Sequence, residues 1–467
     1  MSEVRTGTEV VPTLPKEIHR IIKLAWPIIF GQLASTSMTV VDTVMAGAAG
    51  TEQLSGVAIG GSFYWPAILA IVGLSFALQP IVAQLRGAGK ADEIPARVQL
   101  AAIICLTVSL LMAVVLCFTH FLYKLMPNVN AEMVRVATGY LYALACSFPA
   151  IAIYNVMRAY CEGLGKTLPT LIFGFVMLAE HIPLNYIFIF GKFGMPALGG
   201  IGCGVASTIS IYIATIALFI YVQKSRHYRR FRIFRQFYEV KKQDIFNFLR
   251  LGFPLAISTT IEVACFSLVS FLLSPFGPNM VAGHSIALNV SGILFIVPLS
   301  IASAATIRTG EAMGARHWNR AQRTATGVYT IDIFVLLCFI SIILIFGDYI
   351  ISLYTSDQEV TAIASTLLTF LLIYQLPDTV QAISIGILRG FKDSRTIFIV
   401  TFIAYWIVGM PLGICLAYGY IGDKEFAAMG FWIGFTAGLS TAAIFYIFRI
   451  TYLFKKRVIP KGMKLKI

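Results

Sequence analysis

Leu251-Gly252-Phe253-Pro254-Leu255-Ala256-Ile257-Ser258-Thr259-Thr260-Ile261-Glu262-Val263-Ala264-Cys265-Phe266-Ser267 lies within an apolar run, Phe248 to Ser274, long enough to cross a bilayer. Glu262 stands at its centre. A carboxylate in the middle of a span is expensive, and its position marks a functional site before any other reading. The stretch also opens a repeat. Leu24-Ala25-Trp26-Pro27 begins the first long apolar run, and Leu251-Gly252-Phe253-Pro254 matches it in the second half of the chain.

Working outward, 58% of the 467 residues are hydrophobic and 12% charged, with a mean hydropathy of +0.81. A water-soluble chain of this size does not cover that much apolar surface, so the class is integral membrane protein. Twelve runs are long enough to span: 21–46, 54–84, 98–122, 132–156, 168–190, 200–223, 246–274, 280–307, 321–347, 358–387, 396–418 and 427–453. Helices are expected in all of them, because a spanning helix satisfies its own backbone hydrogen bonds. Turn-rich segments separate the runs, among them Gly87-Ala88-Gly89-Lys90, Met126-Pro127-Asn128 and Gly277-Pro278-Asn279. The eight cysteines are scattered without C-x-x-C spacing and read as reduced, small apolar residues. Met1 to Lys23 shows no removable signal sequence.

Lys and Arg set the orientation. Of the 36, only Lys124, Arg135, Lys192 and Lys424 fall on the outer side when connections are assigned alternately; the rest share the other side with both ends. The positive-inside rule then places both termini in the cytoplasm. The same distribution explains the net charge of +14 without nucleic acid. The basic, aromatic run from Lys224 to Arg235 is expected to be a cytoplasmic linker lying against anionic lipid headgroups.

The repeat continues past its opening. Gly50 through Gly56 aligns with Gly277 through Gly283, Gly87-Ala88 with Gly314-Ala315, and Gly163 with Gly390. Prolines recur in equivalent runs: Pro27 with Pro254, Pro149 with Pro377, Pro183 with Pro411. The expected architecture is therefore all-α, with two pseudo-symmetric six-helix lobes as parallel repeats: 1–224, a basic linker at 225–245, and 246–467 with a basic tail. A substrate path is expected between the halves.

No enzyme signature is present. Gly165-Lys166-Thr167 resembles the end of a phosphate-binding loop, but Tyr160 stands where its first glycine belongs. No cofactor is expected, and the energy for transport falls to an ion gradient. The acidic residues within spans are Asp42, Glu180, Glu262, Asp332 and Asp378, and no Lys or Arg is expected deep in a span. Such a carboxylate takes a proton, binds a cation or faces water. Gln32, Ser35, Thr39 and Asp42 fall on one helical stripe; Ser258, Thr259 and Glu262 share another; Tyr374 and Asp378 are one turn apart. Pro377 frees a carbonyl one turn earlier, a further oxygen for a cation. Glu180, His181 and Asn185, around Pro183, make a second polar cluster in the first half. Asp332 lies nearer the cytoplasmic end, within reach of water.

The chain resembles the multidrug and toxic-compound extrusion (MATE) family in its NorM-like branch, over essentially its whole length. The resemblance rests on Trp26-Pro27-Ile28-Ile29, Val41-Asp42-Thr43-Val44-Met45-Ala46-Gly47, Ile182-Pro183-Leu184-Asn185-Tyr186-Ile187-Phe188 and Gly194 through Ala206. In the second half it rests on Glu262, Gln375-Leu376-Pro377-Asp378 and Arg389-Gly390-Phe391-Lys392-Asp393. It implies a monomeric, multi-pass exporter of small cationic drugs in a bacterial inner membrane, driven by sodium or protons, with sodium favoured by the branch. It carries Asp42, Glu262, Tyr374 and Asp378 into coupling and substrate roles, with sodium at Glu262, Asp378 and Tyr374. His181 stands where the branch leads one to expect Asn. The alternative is a lipid-linked oligosaccharide flippase of the wider superfamily, which needs cationic residues in its cavity where this chain offers carboxylates.

Overall fold

A computed structural model describes residues 11–119, 131–229, 231, 233, 236–421 and 426–457. The Met126-Pro127-Asn128 turn, Lys124, Lys424, several basic-run residues including Arg230, Arg232 and Arg235, the tail beyond Arg457 and both chain ends lie outside them.

Among the described residues every regular element is helical. Eleven helices are long and apolar enough to span, and a bent pair makes a twelfth. They are α1 (Leu14–Ala49), α2 (Thr51–Gly87), α3 (Ala91–Cys117), α4 (Ala131–Ala145 with Phe148–Gly163, bent by 46°), α5 (Leu168–Phe190) and α6 (Gly200–Lys224), followed by α7 (Lys242–Phe276), α8 (Pro278–Gly314), α9 (Trp318–Ser352), α10 (Gln358–Gly390), α11 (Ser394–Ala417) and α12 (Ala427–Lys456). The chain is a multi-pass membrane protein. Several helices outrun the apolar runs that forecast them, because polar first turns such as Leu14 to Arg20 and Lys242 to Phe246 are helical too.

The sequence repeat is also a repeat of packing. Gly50 and Gly277, equivalent in sequence, both hold positive φ, 136° and 97°, immediately before α2 and α8. Glycine alone adopts this conformation without a Cβ penalty. Gly56 presses against Val136, and its counterpart Gly283 presses against Ile363, the residue equivalent to Val136. Gly163 likewise meets Val82, and Gly390 meets the equivalent Thr309. Small residues at these crossings let membrane helices approach backbone to side chain.

The chain divides into two compact units, Trp26–Ala256 and Met1–Ala25 with Ile257–Ile467. The division differs from the sequence boundary at 225–245. The first turns of α1 group with the second unit, where Arg308 and Thr324 bind Glu17 and Ile21 approaches Gly327. The first turns of α7 group with the first unit, where Gly252 packs on Leu74. Apolar patterning does not register such contacts, which are set by a few side chains.

The linker is anchored by its apolar side chains. Tyr228, Phe231 and Ile233 are buried in the first unit. Tyr160 meets Tyr228 and Phe231 with ring centroids 5.7 and 6.2 Å apart. Gln99 donates to the carbonyls of Ile233 and Gln236 and accepts from the Tyr238 N–H at 3.0 Å. Burying each aromatic contributes about 1.5–3 kcal/mol.

Candidate functional site

Each unit holds a buried polar cluster built around the carboxylates of its spans. In the first unit the centre is Asp42, on α1 and 8% exposed. Its Oδ1 accepts from Asn185 Nδ2 at 2.7 Å and lies 2.8 Å from His181 Nε2, both on α5. Ser207 on α6 donates to Oδ2 at 3.3 Å. His181 and Asn185 are one turn apart with fully buried side chains, so Pro183 between them leaves both facing one carboxylate. Asn185 Oδ1 and His181 Nδ1 have no hydrogen-bond partner. A donor set this tight orients the carboxylate, and the two orphaned atoms leave polar capacity unused. Tyr64 and Tyr140 lie close enough to feel the Asp42 charge.

This regroups the sequence clusters. His181 and Asn185 join Asp42, while Glu180, their expected third member, points elsewhere with Oε2 unpartnered. On an α-helix adjacent residues face different directions, so Glu180 and His181 are not aimed at one point. Of the Asp42 stripe, Ser35 turns its hydroxyl back to the Gly31 carbonyl and Gln32 keeps a buried, unpartnered Oε1. Thr39 is exposed.

The second unit gathers three carboxylates. Asp378 on α10 is 2% exposed and lies close enough to Glu262 (α7) and Asp332 (α9) for their charges to repel. Its Oδ2 has no partner. Asp332, expected to reach water, is instead buried: Thr379 donates to its Oδ2 at 3.3 Å and its Oδ1 is unpartnered. Tyr374 shares the cluster, beside Asp378 and Glu262, with Ser291 of α8 near its hydroxyl. Its ring lies edge-on to Trp432, centroids 5.2 Å apart, and the Trp432 indole donates to His284 Nδ1 at 3.2 Å. Ser258 and Thr259 precede Glu262 by one turn of α7.

The hydroxyl beside Glu262 belongs to Tyr405, which sequence reading missed. Tyr405 Oη lies 2.7 Å from Glu262 Oε1 and 3.2 Å from Gln381 Oε1. Its neighbour Trp406 donates from Nε1 to the Ile261 carbonyl at 3.3 Å. Adjacent residues on an α-helix diverge, yet these two grip adjacent positions of α7. They sit in a π-helical stretch of α11, Ile403–Gly409. Pro411 follows it and has no N–H for the ladder, which favours local rewinding. Pro411 was the one legible signal.

Three bases near the ends of their helices are buried within the protein. Arg389 on α10 is buried within reach of the Glu262 charge, Arg308 pairs with Glu17, and Arg158 pairs with Glu162 at 2.8 Å. Positive-inside counting placed all three in cytoplasmic connections, but the helices extend far enough to bury them. Among the described residues no group of three or more His, Cys, Asp or Glu converges as a metal site.

The MatE family model matches residues 27–187 and again 254–415, starting at Pro27 and Pro254, the prolines that open the repeat. The chain is 40% identical to the multidrug resistance protein MdtK of Pectobacterium atrosepticum over 438 residues, 94% of this chain and 96% of that protein. It is 37% identical to the multidrug resistance protein NorM of Aliivibrio fischeri, over 94% of this chain and 95% of that one. Among solved structures, the eukaryotic MATE transporter AtDTX14 superposes with a TM-score of 0.84 at 21% identity, covering 97% of this chain and 98% of that one. An outward-facing multidrug resistance MATE transporter superposes with a TM-score of 0.82 at 20% identity, over 97% and 100%.

Proposed function

Because the chain belongs to the MatE family of membrane transporters, we propose that it is a secondary active multidrug exporter, moving lipophilic organic cations outward in exchange for sodium or protons. The observation that carries this reading is the acidic cluster of the second unit. Glu262 and Asp332 each lie within repulsive range of Asp378, and Asp378 Oδ2 and Asp332 Oδ1 are unpartnered. Arg389 offsets part of one charge; the remainder favours a bound cation or proton. An organic cation and a small ion competing for the same negative charge are linked reciprocally, and that linkage is exchange.

Sodium is the coupling ion this reading favours, with Glu262 and Asp378 supplying charge and Asp42 of the first unit serving the substrate. Tyr374, Trp432 and Phe266 offer aromatic faces for flat cations near the carboxylates. The protein works in the bacterial inner membrane as a monomer with both ends in the cytoplasm.

The test is ethidium efflux in everted vesicles under imposed sodium and pH gradients. Wild-type protein should transport under at least one gradient. Glu262→Gln keeps the side-chain shape and removes its charge, so it should transport under neither while accumulating normally. Wild-type rates from that variant would refute the assignment.

A further inference from the structure

The Tyr405 hydroxyl faces two oxygen acceptors, Glu262 Oε1 at 2.7 Å and Gln381 Oε1 at 3.2 Å. A phenol has one hydrogen, so it serves only one of them at a time. Tyr405 is 1% exposed and its ring is wedged edge-on against Phe266, centroids 5.9 Å apart, so the oxygen cannot travel far. The hydrogen can. Turning about the C–O bond moves it from Glu262 to Gln381 without displacing a heavy atom.

We propose that Tyr405 is a hydroxyl switch on Glu262, capping the carboxylate when no cation is present and passing its hydrogen to Gln381 when a cation arrives. Tyr405 and Gln381 are thus positioning residues, and the inference rests on Glu262 acting as the cation site. Trp406 keeps the switch in register by holding the Ile261 carbonyl, one residue from the carboxylate. The π-helical turn is what brings Tyr405 and Trp406 to the same edge of α7. Gln381 stands beside Glu262 as well, and its Oε1 faces the Tyr405 hydroxyl.

The switch gives the two partners opposite roles. Without the hydroxyl, Glu262 is uncapped and a cation meets less competition. Without the second acceptor, the hydroxyl has nowhere to turn and stays on Glu262. A hydrogen bond to a charged group is strong enough that removing it changes affinity about tenfold. Tetraphenylphosphonium suits the test because it neither donates hydrogen bonds nor needs inner-shell ligands, so it senses the carboxylate alone.

The experiment is calorimetric titration of the purified full-length protein with tetraphenylphosphonium. Tyr405→Phe, which keeps the ring, should lower Kd about tenfold. Gln381→Leu should raise it severalfold, and the double variant should match Tyr405→Phe alone. A purely structural role weakens binding in both single variants. Changes of the same sign, or no change in either, overturn the switch. Glu262→Gln in parallel tests the cation site itself: if that variant binds like wild type, the functional reading fails at Glu262 and the switch with it. If Glu262→Gln weakens binding but the signs agree, only the switch fails. Should Tyr405→Phe not fold, Tyr405→Met, which also lacks the hydroxyl, takes its place. It must lower Kd, and an unchanged or raised Kd refutes the proposal.

Discussion

Arg308 grips Glu17 with two nitrogens at once: Nε meets Oε1 at 2.8 Å and Nη2 meets Oε2 at 2.7 Å. Thr324 donates to the same Oε1 at 2.8 Å, and Glu311 holds Arg308 on its other side at 3.0 Å. Glu17 is fully buried and Arg308 is 6% exposed, so neither charge has water to fall back on. Removing one partner of such a pair costs about 3–5 kcal/mol, because the other is left buried and unpaired. Arg308→Met should therefore lower the melting temperature in detergent markedly. Glu17→Leu with Arg308→Met should recover part of the loss, and a double variant as unstable as the sum of the singles would exclude this coupling.

The Asp42 cluster yields a separate expectation. His181→Leu removes one of the two nitrogens within 2.8 Å of Oδ1 and leaves Asn185 there. It should cost about 1–3 kcal/mol of stability in the first unit. Asp42→Asn should lower drug efflux while sodium-dependent fluorescence changes persist, since Glu262 and Asp378 lie in the other unit. Loss of the sodium response in Asp42→Asn would move coupling into the first unit.

Equivalent glycines should fail equivalently. A Cβ on Gly56 would stand 2.6 Å from Val136 Cβ, and one on Gly283 would stand 2.5 Å from Ile363 Cγ2. Alanine gains up to about 1 kcal/mol in helix propensity, but overpacking at such distances costs about 1–3 kcal/mol and prevails. Gly56→Ala and Gly283→Ala should each reduce thermal stability by comparable amounts. A stabilised variant at either position would contradict the close crossing.

The linker should come loose when its clasp is removed. Gln99 is 5% exposed and bonds three backbone groups between Ile233 and Tyr238. At about 1 kcal/mol per bond, Gln99→Ala should raise the open population of this segment by ten-fold or more. Limited trypsin digestion should then cut faster between 224 and 242, with cleavage elsewhere unchanged. An unaltered cutting rate would mean that the aromatic contacts alone hold the linker.

Membrane class, helix count and two-fold repeat follow from the sequence alone, because all three depend on apolar length and spacing, which a one-dimensional pattern carries. So does the significance of Glu262, since a carboxylate in the middle of Phe248–Ser274 is costly wherever the chain folds. Its surroundings do not follow. Tyr405 is 143 positions away and reaches Glu262 through a π-helical stretch that no 3.6-residue periodicity forecasts. Asp332 looked solvated and Arg389 looked like a loop residue until neighbouring helices covered both. His181 and Asn185 left Glu180 for Asp42 because partnership among buried polar groups is settled across helices, by direction and distance. Charge in a span is written in the sequence, whereas what compensates it is decided by tertiary packing, because hydrogen bonds act over about 3 Å between residues of any separation.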